Sequence, residues 1–474
     1  MKRVTWCVRA VPCAVALLVT ACAAGGPEQH RPAVALPAQF PGAAADAGIA
    51  TVIPAQWWTL FGDTDLNRLV DAALAHNSDI AQAVARVELA DAQQREVSGA
   101  LLPGIDLGAN AARSRSSGLT NSARSPSGAV GNNFRLAAST SFELDFWGKL
   151  RGADRSARAS ALASRYARDT VRLTVTGLTV QSWIALRAID EQLRLTRETL
   201  KTRDESLRVL GVRLKGGSGS GLEVEQARGL RADAALQAIE LERQRALAQS
   251  QLALLTGEPS LSLAAPGDAV LPAAPVPPVG LPSSLLERRP DIQRAEQALV
   301  AADANVTVAR AAMYPTLSLT GLLGGESMEL STLLNAPARI WSLGFGLSLP
   351  LFDGGRSAAR TDQVKARQQE AVAAYQGAVG SAFKEAADAI GNLQAAALSE
   401  PDLRVRAEAN ARAVKLAQMR FEAGYAGYLD VLDAQRSVNA AALDQVRNRQ
   451  ARLNYSVDLF KALGGGWTAE AAAR

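Results

Sequence analysis

The chain has few of the side chains on which most enzyme chemistry depends. It contains three cysteines and two histidines. Cys7 and Cys13 lie in an amino-terminal segment that we expect to be removed, so the mature chain has no pair with which to form an internal disulfide. His30 and His76 lie far apart in sequence, which argues against a metal cluster, and His76 is predicted to lie at a helix end. No glycine-rich phosphate loop follows a predicted strand. We therefore predict that the chain is not an enzyme and needs no cofactor.

The chain also lacks a strong excess of either charge. Its formal net charge is +5, and this falls to about +2 (5 − 3) when Lys2, Arg3 and Arg9 leave with the amino-terminal segment. Binding to nucleic acid depends on many cationic side chains that neutralise phosphates. We therefore predict no nucleic-acid partner.

The apolar run near the amino terminus is short. It extends over Ala14–Val19, whereas a helix that spans a bilayer needs about 20 apolar residues. Residues 1–21 are therefore predicted to be a cleaved secretory signal peptide. The Val-Thr-Ala-Cys sequence that ends at Cys22 resembles a bacterial lipobox, which predicts covalent lipid, such as palmitate, on Cys22. Ordinary cleavage after Ala23 also fits the small residues at this place.

The chain resembles itself at a distance of about 207 residues. Arg213–Val224 aligns without gaps with Arg420–Val431, so that Gly217 falls on Gly424. The similarity extends in both directions, and each half is predicted to be one large unit. The predicted parts are a lipid-anchored arm at 22–63, a first repeat at 64–257, a proline-rich linker at 258–286 and a second repeat at 287–474.

Each repeat is predicted to consist of a helix, two strands and a helix. The strands are expected at about 102–113 and 133–147 in the first repeat, and at about 314–324 and 339–352 in the second. Apolar and polar residues alternate along these segments, and aromatic residues lie near their ends. Strands of about 10 residues with this pattern are typical of membrane barrels. The alternation alone fits a half-buried sheet in a soluble domain equally well.

The number of predicted strands limits the membrane interpretation. A barrel in lipid must close to leave no unpaired edge, and barrels made of one chain begin at about eight strands. The four predicted strands cannot close alone. If they lie in a membrane, several chains must contribute, and three chains would give about twelve strands.

The helices are predicted to be long and to pack against each other. No proline lies between Gly148 and Leu214, so this segment is able to form one helix of roughly 100 Å. Pro401 is predicted to break the corresponding helix of the second repeat, with an irregular connection near 395–402. Two seven-residue lattices predict coiled-coil seams. The first comprises Leu186, Leu193, Leu200, Leu207 and Leu214, and the second comprises Leu432, Asn439, Val446, Leu453 and Phe460.

Ordered motifs along nearly the whole mature chain carry a family resemblance. They are Trp57-Trp58 with Phe61, Leu102-Pro103, Asp145-Phe146-Trp147-Gly148-Lys149, Arg288-Arg289-Pro290-Asp291, Tyr314-Pro315, Phe352-Asp353-Gly354-Gly355, Tyr428-Leu429-Asp430-Val431-Leu432-Asp433, and Gly464-Gly465-Gly466-Trp467. With these motifs the chain resembles the outer-membrane factors of tripartite efflux pumps, in the lipoprotein branch of that family.

The resemblance implies a mainly α-helical fold with a membrane β-barrel portion. It implies a homotrimer in a Gram-negative outer membrane, with a twelve-stranded barrel and a long α-helical barrel in the periplasm. The periplasmic end would meet an adaptor protein and an inner-membrane transporter of the RND type, which supplies the energy. The chain would then be a passive exit duct for drugs or other small molecules.

A group of acids after the second predicted turn is the main candidate site. Spacings of three and four residues bring Leu429, Asp430 and Asp433 to neighbouring positions at the start of a helix. Acids in such a position are also common as solvated residues that favour the helix dipole. The family resemblance implies instead that these residues close the periplasmic mouth. Gly217, Gly424 and Gly427 are expected to permit tight turns and close packing of the adaptor.

Two other functions share parts of this pattern. A periplasmic adaptor or another structural coiled-coil protein would have the helices and the lipid anchor but not the four alternating strands. A duct for type I secretion of polypeptides has a closely related scaffold. It differs in its cargo, which is an unfolded polypeptide and not a small molecule.

Overall fold

A computed structural model describes residues 32, 37, 39–41, 53–115, 117, 130–264, 271–278, 280 and 282–467. The predicted signal peptide and Cys22 lie outside these residues. Among the described residues, no helix is both long enough and apolar enough to cross a membrane.

The protein is mostly helical, with one small sheet. Four short 3-10 helices lie at Trp57–Phe61, Pro282–Ser284, Leu330–Thr332 and Ala336–Ala338. The α-helices are α1 (Thr64–His76), α2 (Ser78–Gly99), α3 (Lys149–Lys215), α4 (Gly221–Thr256), α5 (Leu285–Arg288), α6 (Pro290–Ala311), α7 (Arg356–Glu422) and α8 (Tyr428–Ala462). The strands are β1 (Asp106–Arg115), β2 (Val130–Leu144), β3 (Thr316–Ser327) and β4 (Arg339–Ser348). His76 ends α1, as predicted.

The order helix, two strands, long helix and helix occurs twice, with closely matched lengths. Helices α2 and α6 each have 22 residues, and α3 and α7 each have 67. Helices α4 and α8 have 36 and 35 residues. The chain divides into two compact units, one with Glu88–Ala163 and Ala295–Tyr375, and the other with Val34–Val87, Ser164–Arg294 and Gln376–Arg474.

The first unit contains the sheet, which is antiparallel in the order β1-β2-β3-β4. One row across the sheet is Leu107, Ala138, Leu323 and Trp341. These residues belong to the face that carries most of the large apolar side chains. Because side chains alternate along strands, the intervening residues lie on a second face, which is mainly polar or small. Strands β1 and β4 have only one neighbour each within the described chain.

The strand bounds differ from the predicted ones by a few residues. Strand β1 begins at Asp106 because residues 100–102 still form turns that continue from α2. Strand β2 ends at Leu144, because the Asp145 carboxylate accepts hydrogen bonds from the Leu150 and Arg151 amides at 3.1 and 2.9 Å. These two hydrogen bonds cap the amino-terminal end of α3, so residues 145–148 lead into α3 and do not extend the strand.

A corresponding cap begins α7. The Asp353 carboxylate accepts hydrogen bonds from the Gly355 and Ser357 amides at 2.9 and 2.8 Å. Hydrogen bonding to Ser357 is the main cause that lowers the pKa of Asp353 below its usual value. For Asp145, burial by itself raises the pKa, but hydrogen bonds from Arg151 and Leu150 outweigh it and the pKa is lowered. Both aspartates of the predicted motifs therefore act as charged helix caps.

In the second unit, the leucine seam predicted along α3 is only partly correct. Leu186 and Leu193 are buried at 0% and 3% exposure, whereas Leu214 is 40% exposed. Further along the helix the buried residues are instead Thr196, Arg203 and Leu210, which are 0%, 5% and 1% exposed and form a seven-residue lattice of their own.

The seam predicted along α8 is confirmed. Leu432, Val446, Leu453 and Phe460 are each no more than 2% exposed. The amide oxygen of Asn439 accepts a hydrogen bond of 3.0 Å from the Thr199 hydroxyl on α3. A polar residue with a specific partner in such a seam favours one register of the packed helices.

The predicted break at Pro401 is wrong, because α7 continues through it. Proline removes one backbone donor and is normally unfavourable inside a helix. Here α8 supplies donors to the carbonyls on both sides. Asn448 donates to the Ala396 carbonyl at 3.2 Å, and Gln445 donates to the Leu403 carbonyl at 3.4 Å. The carbonyl that loses its donor is that of Ala397, four residues before Pro401, so these two bonds do not replace the missing one; they hold this stretch of α7 against α8.

Of the linker predicted at 258–286, the described residues 258–264, 271–278 and 280 contain neither helix nor strand, whereas 282–286 already belong to a 3-10 helix and to α5. Two adjacent carboxylates on α3, both buried, hold this segment in place. Asp190 accepts a hydrogen bond of 2.6 Å from Arg245, which also donates to the Leu263 carbonyl at 2.6 Å. Glu191 accepts from the Leu271 amide at 3.4 Å. Local sequence patterns do not reveal this pair, because Asp190 and Glu191 are separated from their partners by 55 and 80 residues.

Candidate functional site

Two helix hairpins in the second unit contain the predicted site residues. The first joins α3 to α4, and the second joins α7 to α8. Gly217 and Gly424 have φ angles of 75° and 80°, a region in which side chains with a Cβ are disfavoured. The amides of Ser218 and Tyr425 bond back across the turns to carbonyls near the ends of α3 and α7. Both turns are thus closed in the same way.

The prediction for Gly427 needs a correction. It lies at the second turn as expected, but its φ is −74°, which any residue adopts. A Cβ added at Gly427 would have no atom within 4 Å. Gly427 is therefore not required for the backbone of the turn.

The acids of the first hairpin are satisfied within the chain. The Glu223 carboxylate accepts from the Ser220 amide at 3.3 Å, while the Ser220 hydroxyl accepts from the Leu222 amide at 3.2 Å. Together these contacts form a capping box at the start of α4. Glu225 forms an ion pair of 2.8 Å with Arg228. The Ser-x-x-Glu pattern of this capping box is readable in the sequence.

The acids of the second hairpin differ. Asp430 and Asp433 are exposed, and in the part of the chain that the structure describes neither has a side-chain hydrogen bond or an ion pair. Leu429 is 51% exposed. The N-cap residue of α8 is Gly427, so no side chain caps the helix start. Leu429, Asp430 and Asp433 are therefore exposed together at the start of α8. Within the described residues, the two carboxylates have no hydrogen-bond or ion-pair partner.

An apolar cluster joins the two hairpins beneath these residues. It contains Leu210, Val224 and Ala227 from the first hairpin, and Tyr428, Val431 and Leu432 from the second. Phe421 packs edge-on against Tyr428, with ring centroids 5.0 Å apart. The Arg213 guanidinium lies 4.8 Å from the centroid of Phe421. The acids of the second hairpin are thus interspersed in sequence with residues of an apolar cluster to which both hairpins contribute.

A buried arginine forms a polar link between the hairpins. Arg203 on α3 is 5% exposed and donates a hydrogen bond of 2.6 Å to the Gln435 amide oxygen on α8. Burial is the main cause that lowers the pKa of Arg203 from its usual value. Sequence reasoning missed this residue, because its seven-residue spacing from Leu210 was hidden by the more regular leucines.

The described residues contain no group of three histidine, cysteine, aspartate or glutamate side chains able to hold a metal ion. His30 and Cys22 lie outside the described residues. The arrangement at the second hairpin therefore offers exposed carboxylates and an apolar side chain, which suit the lining of a constriction through which charged molecules pass.

Comparison with known proteins identifies the class to which this fold and site belong. A family model described as outer membrane efflux protein matches residues 69–258 and 281–465. The chain belongs to this family. It is an outer-membrane efflux channel protein.

Individual relatives and solved structures agree over almost the whole length. The chain is 36% identical to outer membrane protein OprJ of Pseudomonas aeruginosa, over 96% of this chain and 95% of the relative. It is also 36% identical to the pyoverdine export outer membrane protein OpmQ of the same species, over 96% and 97% of the two chains. The crystal structure of the Campylobacter jejuni CmeC outer membrane channel superposes with a TM-score of 0.87, at 29% identity, and covers 93% of this chain and 95% of that chain.

Proposed function

We propose that the protein is the homotrimeric exit duct of a tripartite efflux system. In this proposal each chain contributes two structural repeats, four strands of a twelve-stranded outer-membrane barrel and the helices of a periplasmic barrel. Cys22 carries the lipid anchor. The observation that carries the gate assignment is the unpartnered acid group of the second hairpin.

The sheet supports closure by several chains. Strands β1 and β4 are open edges, and the antiparallel order gives them opposite directions. The β4 edge of one chain is thus able to pair with the β1 edge of the next in an antiparallel manner. Because an open edge is not tolerated in lipid, three chains that close one barrel satisfy all the edges.

The exposed side chains of the sheet support contact with lipid. Trp341, Leu343, Phe345 and Leu347 lie on one face of β4 and are 66–77% exposed. A half-buried sheet in a soluble domain would cover such a face with other elements of the chain. An apolar face turned outward and a polar face turned inward are typical of a membrane barrel.

The acids are proposed to form a closed gate at rest. Three chains would bring about six carboxylates, two per chain, to one constriction, with Leu429 beside them. At about 7 Å and an effective dielectric constant near 20, each like-charge pair costs about 2 kcal/mol. Packing of the apolar cluster beneath the hairpins, or bound cations, would offset this repulsion. The gate opens when partners move the helix ends apart.

The partners and the cargo follow from the same proposal. A periplasmic adaptor would contact the hairpin turns at Gly217, Gly424 and Gly427, and an inner-membrane transporter of the RND type would deliver the cargo. The relative TtgI of Pseudomonas putida is named as a toluene efflux pump outer membrane protein, and toluene is a small molecule, which supports small molecules over polypeptides. Transport through the duct itself would be passive.

Single-channel conductance in planar bilayers tests the gate. We expect the purified wild-type protein to show a small, cation-selective conductance that a multivalent cation blocks. In Asp430→Ala/Asp433→Ala, the conductance should increase and the block should disappear, because the carboxylates that bind the ion are gone.

The matched control is Glu223→Ala/Glu225→Ala, which removes two acids from the first hairpin. This variant should keep the block, since both carboxylates are already engaged by their own chain. Equal block in the wild type and in the aspartate variant would contradict the gate. Absence of any conductance from correctly inserted protein would contradict the duct itself.

A further inference from the structure

One row of the sheet carries opposite charges on the mainly polar face. Arg135 on β2 is the register partner of Asn110 on β1 and of Glu326 on β3. The row lies near the ends at which β1 connects to β2 and β3 connects to β4. In a membrane barrel with the helices on the periplasmic side, this is the outer end.

Both charged side chains of the row are available to solvent. Arg135 and Glu326 are exposed. The Glu326 carboxylate accepts a hydrogen bond of 3.0 Å from the Asn133 amide on the adjacent strand. Arg135 has no ion pair within the described residues. A carboxylate held by a neutral donor keeps its full charge, so the row presents one fixed negative and one positive group.

The same face is nearly free of charge further along the strands. The next row contains Gly108, Ala137 and Gly324. A Cβ added at Gly324 would lie 2.2 Å from the Leu136 carbonyl oxygen, so this position requires glycine. Asp106 on β1, the register partner of Ser139, is the next charged residue of this face. On β2, β3 and β4, serine, threonine, glycine and hydrophobic residues continue as far as Glu143, which is paired with Lys149 at 2.9 Å. Small residues beside the charged row leave room for its long side chains.

We infer that Arg135 and Glu326 form a charge-balanced ring in the outer mouth of the duct and set its ion preference. This inference rests on the proposed trimer, in which three arginines and three glutamates would face one lumen. The ring carries no net charge, so it favours neither cations nor anions, in contrast to the acidic group at the second hairpin. Removal of either member leaves about three like charges, which bias the entry of charged molecules.

The ion preference of the mouth is measurable with a reporter cysteine at Ser139. Ser139 lies on the same face as Arg135, four residues along β2, and its register partner on β1 is Asp106. The Asp106 carboxylate is the same in every variant, so the ratio of rates is compared only with that of Ser139→Cys alone. Intact cells that express Ser139→Cys would be treated with a cationic and an anionic methanethiosulfonate reagent of similar size, and the two modification rates compared. This readout needs access only from outside, so it does not depend on the state of the second hairpin.

We expect Glu326→Gln to shift the ratio of rates toward the anionic reagent, and Arg135→Gln to shift it toward the cationic reagent. Three charges near the path should change the ratio by about two- to fivefold at low salt, and by less at high salt. The double variant should restore the wild-type ratio, which also controls for changes in folding. Arg339→Gln, on the apolar face near the same end, should have little effect.

Three results would overturn the inference. They are an unchanged ratio in both single variants, an equal shift in Arg339→Gln, or faster modification of Ala138→Cys, on the opposite face, than of Ser139→Cys. Small-molecule efflux and bilayer conductance of the same variants separate this inference from the proposed function. If both are normal while the ratio does not respond, only the ring assignment fails.

Discussion

The two hairpins have the same turn but begin their second helices differently. In the first, Ser220 and Glu223 form a capping box at the start of α4. In the second, Gly427 occupies the position of Ser220, and Asp430 occupies that of Glu223. Gly427 has no side chain to complete the box. The acid that serves the backbone in one hairpin is therefore left unpaired in the other.

The difference shows how a repeated backbone can acquire a site in one copy only. Both turns contain a glycine with positive φ, and both hairpins contribute to one apolar cluster. The hairpins differ in whether their acidic side chains cap a helix or form an ion pair within the hairpin. In the first hairpin capping and pairing occupy them, whereas the second exposes two carboxylates and leaves its helix start uncapped.

The link between the hairpins is the contact whose loss should have the largest effect. Arg203→Ala removes a buried side chain and leaves Gln435 without its donor. We expect destabilisation of about 2–3 kcal/mol, measured as a lower midpoint of thermal unfolding by circular dichroism in detergent. The conductance should also increase, because α8 is less firmly attached to α3.

Arg208→Ala is a matched control on the same helix. Arg208 is exposed and pairs only with Glu205, one turn away, so the midpoint and the conductance should change little. If the two alanine variants behave alike, the hydrogen bond between Arg203 and Gln435 does not join the hairpins.

The turn glycines should show the next largest effect. Gly217→Ala and Gly424→Ala place a Cβ at positive φ and should each cost about 1–2 kcal/mol. Gly427→Ala should cost much less, since its φ is negative and the space around it is open. Thermal unfolding of the three variants checks this ranking. A cost for Gly427→Ala equal to that for Gly424→Ala would contradict the backbone geometry.

Local patterns in the sequence were sufficient for the features that depend on neighbouring residues. The strand alternation, the turn glycines Gly217 and Gly424, and the buried seam of α8 all follow from spacing and backbone preference. The acid group at Asp430 and Asp433 was also identifiable, since helical spacing brings it together. The sequence could not predict that these two carboxylates have no partner, because the presence of a partner depends on every element packed nearby.

Features that depend on distant residues could not be predicted in this way. Pro401 remains within α7, and the stretch around it is held against α8 by hydrogen bonds from Asn448 and Gln445. The predicted leucine seam of α3 failed at Leu214 because the neighbouring helices cover Arg203 and Leu210 instead, a lattice in another register. In both cases tertiary packing decided the outcome over local preference.

Loss of the cap in the first hairpin should have a moderate effect. Ser220→Ala removes the acceptor for the Leu222 amide and should destabilise α4 by about 1 kcal/mol. Hydrogen exchange at the first amides of α4 should become faster, while exchange at the start of α8 stays the same. Faster exchange in both hairpins would show that the cap acts on the whole cluster and not on one helix start.

The smallest effect is expected from giving the second hairpin the cap of the first. Gly427→Ser supplies a side chain at the N-cap position of α8 and should stabilise it by only a few tenths of a kcal/mol, since glycine is itself a tolerated N-cap. Gly427→Ser/Asp430→Glu would complete a capping box and engage the acid. If the unpaired carboxylate is what binds blocking cations, the double variant should weaken the block of conductance although its charge is unchanged. Gly427→Ser alone should keep the block. An unaltered block in the double variant would mean that Asp433 is sufficient, and that the contrast between the two helix starts is structural only.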